Sequence, residues 1–467
     1  MTPVIAIFDI GKTNKKLFLF NEQYAIVWQQ SEQFDETVDD DGYPCEDLTK
    51  LTQWVITSLD QVLALPNYQI RALNFSTYGA SFVYLDETKQ PIGFLYNYLK
   101  PFPAGIRAQF YRQYGDEATL ALETASPALD SLNSGLMLYR IKHDKPQLFQ
   151  HIRYALHLPQ YLSFLVTHQL VSDVTSIGCH TMLWDFSRNQ YHAWVLSEAL
   201  DQRLGPLSTS DSVLTVTYQE QLLNVGVGLH DSSAALIPYL ASFSEPFVLI
   251  STGTWCISLN PFNNTPLSVE ELQYDCLCFL HYKGRPVKAS RLFAGYEHEQ
   301  QTKRLAEHFN TDLNHYQTVS YNPDTMQQLR SYRGGGDFHE VKAPPLQESL
   351  FGHRNLADFS SYGEAYHQLI LDIIAQQLIS TNLVLTTPTN NQQVVKQLFV
   401  DGGFSKNPIY MHLLAAAFPD LEVFAASVAQ ATALGAALAI HDHWNSQPIP
   451  ADCIQLKKYT ALEATIS

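Results

Sequence analysis

Long apolar runs, cysteine and positive charge are all scarce in this chain. No run of about 18 apolar residues occurs in it, so no membrane-spanning helix is expected. The six cysteines are too few and too scattered for a disulfide scaffold, and their spacing matches no zinc site. Cys276 and Cys278 read as strand residues. No charged n-region with an apolar h-region precedes Asp9, so no secretory leader is expected, and the cytoplasm is the simplest compartment. Lys and Arg number 29 against 46 Asp and Glu, a formal net charge of −17. A surface of that sign argues against nucleic acid as a partner. Small anionic ligands are not excluded, since they need only a local cluster of donors.

What is present is a globular composition, 46% hydrophobic and 16% charged over 467 residues. That length exceeds one typical core and fits two domains of roughly 200–250 residues; Pro238 to Pro246 is the expected boundary, dividing the chain into 1–243 and 244–467. The organising stretch is Val4–Asp9, Gly11-Lys12-Thr13-Asn14-Lys15-Lys16 and Leu17–Phe20. It predicts a buried strand, a glycine turn carrying a carboxylate and a hydroxyl, and a returning strand. Such a turn offers backbone N–H groups and a hydroxyl to an anion. The pattern returns at Phe247–Trp255, with Thr252-Gly253-Thr254 at its turn, and a third time at Leu398–Ser405, with Gly402-Gly403. Three such turns suggest two related halves closing on a nucleotide.

Between them the chain reads in order. Tyr24–Trp28 is a third strand, and the acidic stretch 31–44, with Asp39-Asp40-Asp41, is a surface loop. Leu48–Leu63 has apolar residues at helical spacing, and Ile70–Phe75 is a strand. Residues 76–81 then form a polar turn at a strand's carboxyl end, where α/β sheets bind ligands; Thr77, Tyr78 and Gly79 are therefore candidate substrate contacts. Residues 100–160 read as helices separated by prolines. His230-Asp231 opens a helix of small residues after a glycine-loosened turn. Gly334–Gly336 is a flexible surface loop, 363–383 a helix, Asn407-Pro408 a capped helix start, and 431–439 a helix small enough to approach another backbone.

Phosphoryl transfer needs donors around the phosphates, a carboxylate for a metal ion and a base for the attacking hydroxyl. Asp9 is the candidate Mg²⁺ ligand. Thr13, Lys16 and the Thr252–Thr254 turn are the candidate phosphate contacts, Gly402-Gly403 would pass close to adenosine, and Asp231 is the candidate base. Singly, each has a plain structural reading: an Asp-x-Gly turn is a hairpin, and an acid at a helix start is a cap. Their order and spacing carry the functional one.

Taken together, Asp9–Lys16, His230-Asp231, Ser251–Trp255, Asp401–Pro408 and Ala431–Ala437 resemble the FGGY carbohydrate kinases, a branch of the actin-like ATPases. The resemblance spans nearly the whole chain. It implies an α/β protein of two actin-like (ribonuclease H-like) domains, each a central mixed sheet flanked by helices, with the active site in an interdomain cleft. It implies ATP and Mg²⁺ as cofactors and a small sugar or polyol as substrate, and it leaves a homodimer open. Asp231 matches the catalytic base, and Asp9 the acid of the first phosphate motif, with Gly11, Thr13, Asn14 and Lys16. Thr252, Gly253 and Thr254 match the second motif. Gly402, Gly403 and Asn407 match the adenosine motif, with Gly295 on the nucleotide side. Thr77, Tyr78, Gly79, Asn97, His230 and Asp231 fall at sugar-facing positions. Ala80, Ser81, Tyr98 and Gln160 depart from the family's polar pattern. That tilts the resemblance towards kinases of deoxy-ketoses such as L-rhamnulose or L-fuculose rather than xylulose or glycerol. The competing readings are an actin-like ATPase switch without a small acceptor and a family member that binds sugar without turnover.

Overall fold

The computed structural model describes residues 1–79, 81–332, 348–385 and 394–461; Ala80 and the Gly334–Gly336 loop lie outside them. Two seven-stranded mixed sheets form the framework. In the first, β1 (Thr2–Ile10), β2 (Lys15–Asn21) and β3 (Ile26–Glu32) make an antiparallel meander. Helix α1 (Leu48–Leu63) leads to β4 (Tyr68–Thr77), parallel to β1. Helix α2 (Leu158–Thr167) packs on this sheet, and β5 (Val213–Tyr218) and β6 (Gln221–Gly226) extend it as a hairpin. The two-residue β7 (Leu229–His230) pairs with the carboxyl end of β4 and runs directly into α3 (Asp231–Ser242).

The second sheet repeats that plan. Strands β8 (Phe247–Thr252) and β9 (Cys256–Asn260) form the hairpin, and β10 (Cys276–Leu280) and β11 (Pro286–Leu292) lie antiparallel beyond β9. After α4 (Ala294–Phe309) and α5 (Tyr362–Val384), β12 (Gln397–Gly402) lies parallel to β8. Helix α6 (Pro408–Ala417), β13 (Glu422–Ser427), α7 (Ala431–Ala439) and β14 (Gln455–Tyr459) complete the half. In both sheets the strand parallel to the first hairpin strand is followed outward by one more parallel strand and then an antiparallel one.

The period-two alternation of β1 explains its place. Val4, Ala6, Phe8 and Ile10 bury against Leu51, Val55, Leu59 and Val62 of α1, while Ile5 and Ile7 bury on the opposite face against Ala234 and Ile237 of α3 and Ala433, Ala436 and Ala437 of α7. Helix α3 also packs on the second sheet through Leu236 and Tyr239. So α3 and α7 lie between the sheets and join them. Their closeness depends on Gly435, where a Cβ would stand 1.8 Å from the Ala234 carbonyl oxygen. This is the close backbone approach expected of the small-residue helix.

Pro238, at the start of the expected boundary stretch, lies inside α3. One local expectation is corrected: residues Tyr154–His157, within a region expected to be all helix, form a strand antiparallel to Phe82–Leu85. The 31–44 stretch is largely exposed, as a surface loop should be, although Thr37–Val38 pairs with Pro44–Cys45 and Asp39 is 5% exposed. Lys100 lies 2.5 Å from Asp39 and 2.6 Å from Asp41, and Arg140 and Lys145 complete the cluster on Asp41 and Asp40. Hydrogen bonds from Lys100 and Lys145 hold the Asp41 carboxyl down at about 2. Three cations from distant positions neutralise three acids, which no local reading could supply.

Candidate active site

The three glycine turns stand at the carboxyl ends of β1, β8 and β12. In the first, Gly11 N–H donates to the Asn14 carbonyl at 2.9 Å, with Thr13 and Asn14 exposed at the tip. Asp9 is the last-but-one residue of β1, paired across to Lys16 on β2 and to Ser76 on β4. The Thr432 hydroxyl, 423 positions away, donates to Asp9 Oδ2 at 2.9 Å, and Lys16 Nζ donates to Gln430 Oε1 at 3.2 Å. The start of α7 therefore touches the first turn.

The second and third turns are tied together. The Thr252 hydroxyl donates to the Asp401 carbonyl and accepts from Phe404 N–H at 3.0 Å, and Gly403 N–H donates to the Thr252 carbonyl at 2.9 Å. Thr252 thus spends its hydroxyl inside the framework, while Gly253 and Thr254 stay exposed. Gly402 has φ +83°, and a Cβ there would meet the Thr252 carbonyl oxygen at 1.9 Å; only glycine fits. Gly253, Gly295, Gly403, Phe404, Asn407 and His298 line a cavity of about 470 Å³ with Tyr316 and Tyr366. Asn407 caps α6 through Ile409 N–H at 3.0 Å and donates to Tyr366 Oη at 2.9 Å. Burial pushes the His298 imidazole down to about 4, so it is neutral. Its Nε2 lies 2.9 Å from Tyr366 Oη. A planar ring stacked among aromatic and neutral groups, with glycines leaving room for a sugar-phosphate, suits this cavity.

Asp231 opens α3, where the helix dipole favours a carboxylate. Its Oδ1 accepts from Ser232 N–H at 2.6 Å and lies 3.3 Å from His230 Nε2. Burial lowers the pKa of His230; its backbone N–H donates to Thr175 Oγ1 at 3.0 Å. Thr175 in turn donates to Asp173, itself buried. Gly79 lies against this ring: a Cβ would come 2.8 Å from His230 Cδ2. Not all sugar-facing candidates turn to the same space. Thr77 donates to the Tyr78 carbonyl, Tyr78 Oη donates to Glu46, and Asn97 donates its amide to the Pro44 carbonyl at 3.0 Å while accepting from Leu99 N–H. Sequence reading passed over Gln430 and Thr432 as contacts of the first turn. It also passed over Cys179, 3.6 Å from the Gly79 Cβ position, and His180, whose ring meets His230 edge-on with centroids 5.9 Å apart. Only the fold brings these together.

The charge of Asp231 reaches Asp9. Burial, set against the Thr432 hydrogen bond and added to by the Asp231 charge, pushes the Asp9 carboxyl up to about 6 despite Lys16. Two carboxylates with no full ion pair between them fit a hard dication. Unfolded, the Asp9 carboxyl titrates near 3.8; folded, it holds its proton to about 6, so the native state binds more protons between those values and stability falls as pH rises through that window. Asp9→Asn, which can keep the Thr432 bond, is therefore expected to raise the unfolding free energy of the ligand-free protein at pH 7–8 by an amount on the order of 2–3 kcal/mol, and its melting temperature with it. The gain should vanish near pH 4, as thermal unfolding across pH would reveal.

Two like-built α/β halves, with an acid-bearing turn of one touched by the other, define an actin-like two-domain architecture. The chain belongs to the FGGY family of carbohydrate kinases: residues 4–230 match the model of the family's N-terminal domain and residues 244–448 that of its C-terminal domain. It is 24% identical over 262 residues to the rhamnulokinase of Oceanobacillus iheyensis, covering 53% of this chain and 54% of that protein. The chain thus aligns over about half the length of the curated relatives it matches. In fold it is similar to the crystal structure of a carbohydrate kinase from Novosphingobium aromaticivorans, at TM-score 0.78 and 20% identity, covering 98% of this chain and 97% of that one. It is also similar to a ligand-bound xylulose kinase from Lactobacillus acidophilus, at TM-score 0.75 and 16% identity, covering 98% and 94%.

Proposed function

We propose that this protein is an ATP-dependent kinase that transfers the γ-phosphoryl group to a hydroxyl of a small sugar. The observation that carries the reading is Asp231. It opens a helix beside His230 and the Gly79 backbone, close enough to Asp9 to raise its pKa. A nucleotide switch has no use for a base in that position. Asp231 takes the proton from the acceptor hydroxyl as the new bond to phosphorus forms. The donors of the first and second turns, Thr13, Lys16, Gly253 and Thr254, orient the phosphates, and the cavity beside Gly295, Gly403 and Asn407 holds adenosine. Asp9 would hold Mg²⁺, which neutralises charge on the transferring group. Chain division after residue 243 would place base and first turn in one half, and adenosine and second turn in the other. Closure of the two would exclude water from the reaction.

The acceptor we propose is a 6-deoxy ketose of the L-rhamnulose or L-fuculose kind. Support comes from the rhamnulokinase similarity and from the residues near the base: Gly79, Cys179 and Tyr98 offer small or aromatic surface, and a site that hydrogen-bonds an extra hydroxyl rejects the analogue lacking it. The cytoplasm is the proposed compartment, in keeping with six unpaired cysteines, five of them buried; no helix among the described residues is long and apolar enough to cross a membrane. ADP release is measured with no sugar, L-rhamnulose, L-fuculose, D-xylulose and glycerol. Stimulation by a 6-deoxy ketose well above the others is expected. D-xylulose or glycerol as the best acceptor would overturn the substrate class, and sugar-independent turnover would overturn the kinase reading in favour of a switch. Sugar-raised melting without turnover would mark a non-catalytic binder. Light scattering reads the assembly, for which a homodimer is proposed.

A further inference from the structure

The first turn carries three lysines, and the structure gives them three different tasks. Lys12 reaches outward to Glu36 at 2.6 Å, both half-exposed. Lys16 reaches across to Gln430. Lys15 points inward and is 1% exposed, although an ammonium group is among the most expensive groups to bury without a partner. Its Nζ lies 2.5 Å from Glu46 Oε1 and donates to the Lys12 carbonyl at 3.0 Å, with the Phe34 ring 5.8 Å away. The other carboxylate oxygen of Glu46 accepts the Tyr78 phenol at 2.6 Å. Glu46 is 5% and Tyr78 8% exposed.

We propose that Lys15, Glu46 and Tyr78 form a positioning relay that couples the first phosphate turn to the backbone lining the sugar side, an inference that rests on the kinase reading above. At one end the ammonium holds the Lys12 carbonyl, inside the turn that Gly11 and Asn14 close. At the other end Tyr78 precedes Gly79, where the His230 ring occupies the space a Cβ would need, and His230 precedes the base. One carboxylate serves both ends. A turn displaced by ligand moves the Lys12 carbonyl, then Lys15, Glu46 and Tyr78, and the Gly79–His230 contact with them. Neutral residues of similar shape would fill the space without the penalty of a buried ion pair, so what the charges add is geometric: a 2.5 Å ion pair between Lys15 and Glu46, flanked by hydrogen bonds from Lys15 to the Lys12 carbonyl and from Tyr78 to Glu46, holds the two segments against each other. None of the three touches a reacting atom; they act through the turn and through Gly79.

Tyr78→Phe removes one oxygen, keeps the ring against Tyr98 (centroids 5.8 Å apart), and is the variant that decides. The readout is affinity for a nonhydrolysable ATP analogue by calorimetric titration, which needs neither turnover nor a known sugar. Although Tyr78 lies on the sugar side, Tyr78→Phe is expected to weaken analogue binding roughly tenfold, the size of one lost hydrogen bond to a charged group. In Lys15→Met the relay is already cut, so adding Tyr78→Phe should weaken binding no further, the signature of coupled rather than additive sites. A merely structural brace would lower the melting temperature of Tyr78→Phe and leave its analogue dissociation constant unchanged; that result, or full additivity in the double variant, overturns the relay. If Lys15→Met does not fold, the Tyr78→Phe titration alone decides. Failure of the wild-type protein to bind the analogue would overturn the kinase reading itself.

Discussion

Asp231→Asn is expected to lower kcat by about 10²–10⁴-fold, the span that a positioned general base contributes, while leaving affinity for a nonhydrolysable ATP analogue within about threefold of wild type. Asparagine keeps the size of the side chain and an oxygen to accept from Ser232 N–H, the bond that now measures 2.6 Å, so α3 should start where it does. What it loses is the capacity to take a proton. The substitution also removes a negative charge whose presence raises the Asp9 carboxyl, so Asp9 should titrate lower in the variant. The measurement is a pair: single-turnover phosphoryl transfer to the best sugar, and analogue binding by titration. Activity retained within a few-fold would remove Asp231 from the chemistry. Loss of analogue binding in step with activity would show the residue to be part of the framework instead.

Gly295→Ala should be nearly as damaging, for a purely steric reason. The added methyl would sit 1.8 Å from the Gly253 carbonyl oxygen and 3.0 Å from that of Thr254. Both obstacles are backbone of the second phosphate turn, and Tyr296 N–H already donates to the Thr254 carbonyl at 3.1 Å, so neither α4 nor the turn can yield independently. A displacement of about 1 Å at positioned phosphate contacts is worth on the order of 10² in rate. We therefore expect kcat/KM for ATP to fall about 10²-fold, with sugar-induced stabilisation in a thermal-shift assay unchanged, because the clash falls on the Gly253–Thr254 turn and not on the residues beside Asp231. An alanine variant within threefold of wild type would mean that the second turn is soft and does not position phosphate.

Local chemistry made much of this legible. The helix 48–63 could be read to the residue: its apolar spacing is regular and Asp47 caps it through Lys50 N–H at 3.0 Å. The Asn407-Pro408 start was equally plain, since a side-chain cap and a ring-fixed φ act within three residues. The four-residue strand Tyr154–His157 was not legible, because its partner is Phe82–Leu85, some seventy positions away. The acids 39–41 lie in an exposed stretch as read, but their partners were not legible, for the same reason: Lys100, Arg140 and Lys145 arrive from other elements.

The amino-acid order alone established the three turns, the duplicated strand–turn plan, the small-residue helix and the family. These follow from periodicity, glycine freedom and capping, which operate over a few neighbouring residues. Tertiary structure alone decided which lysine of the first turn is buried, that Thr432 and Gln430 meet the first turn, that α3 and α7 join the sheets, and that Asp9 holds its proton to about 6. Those outcomes depend on burial and on charges brought close by folding, and neither quantity exists until the chain has closed on itself.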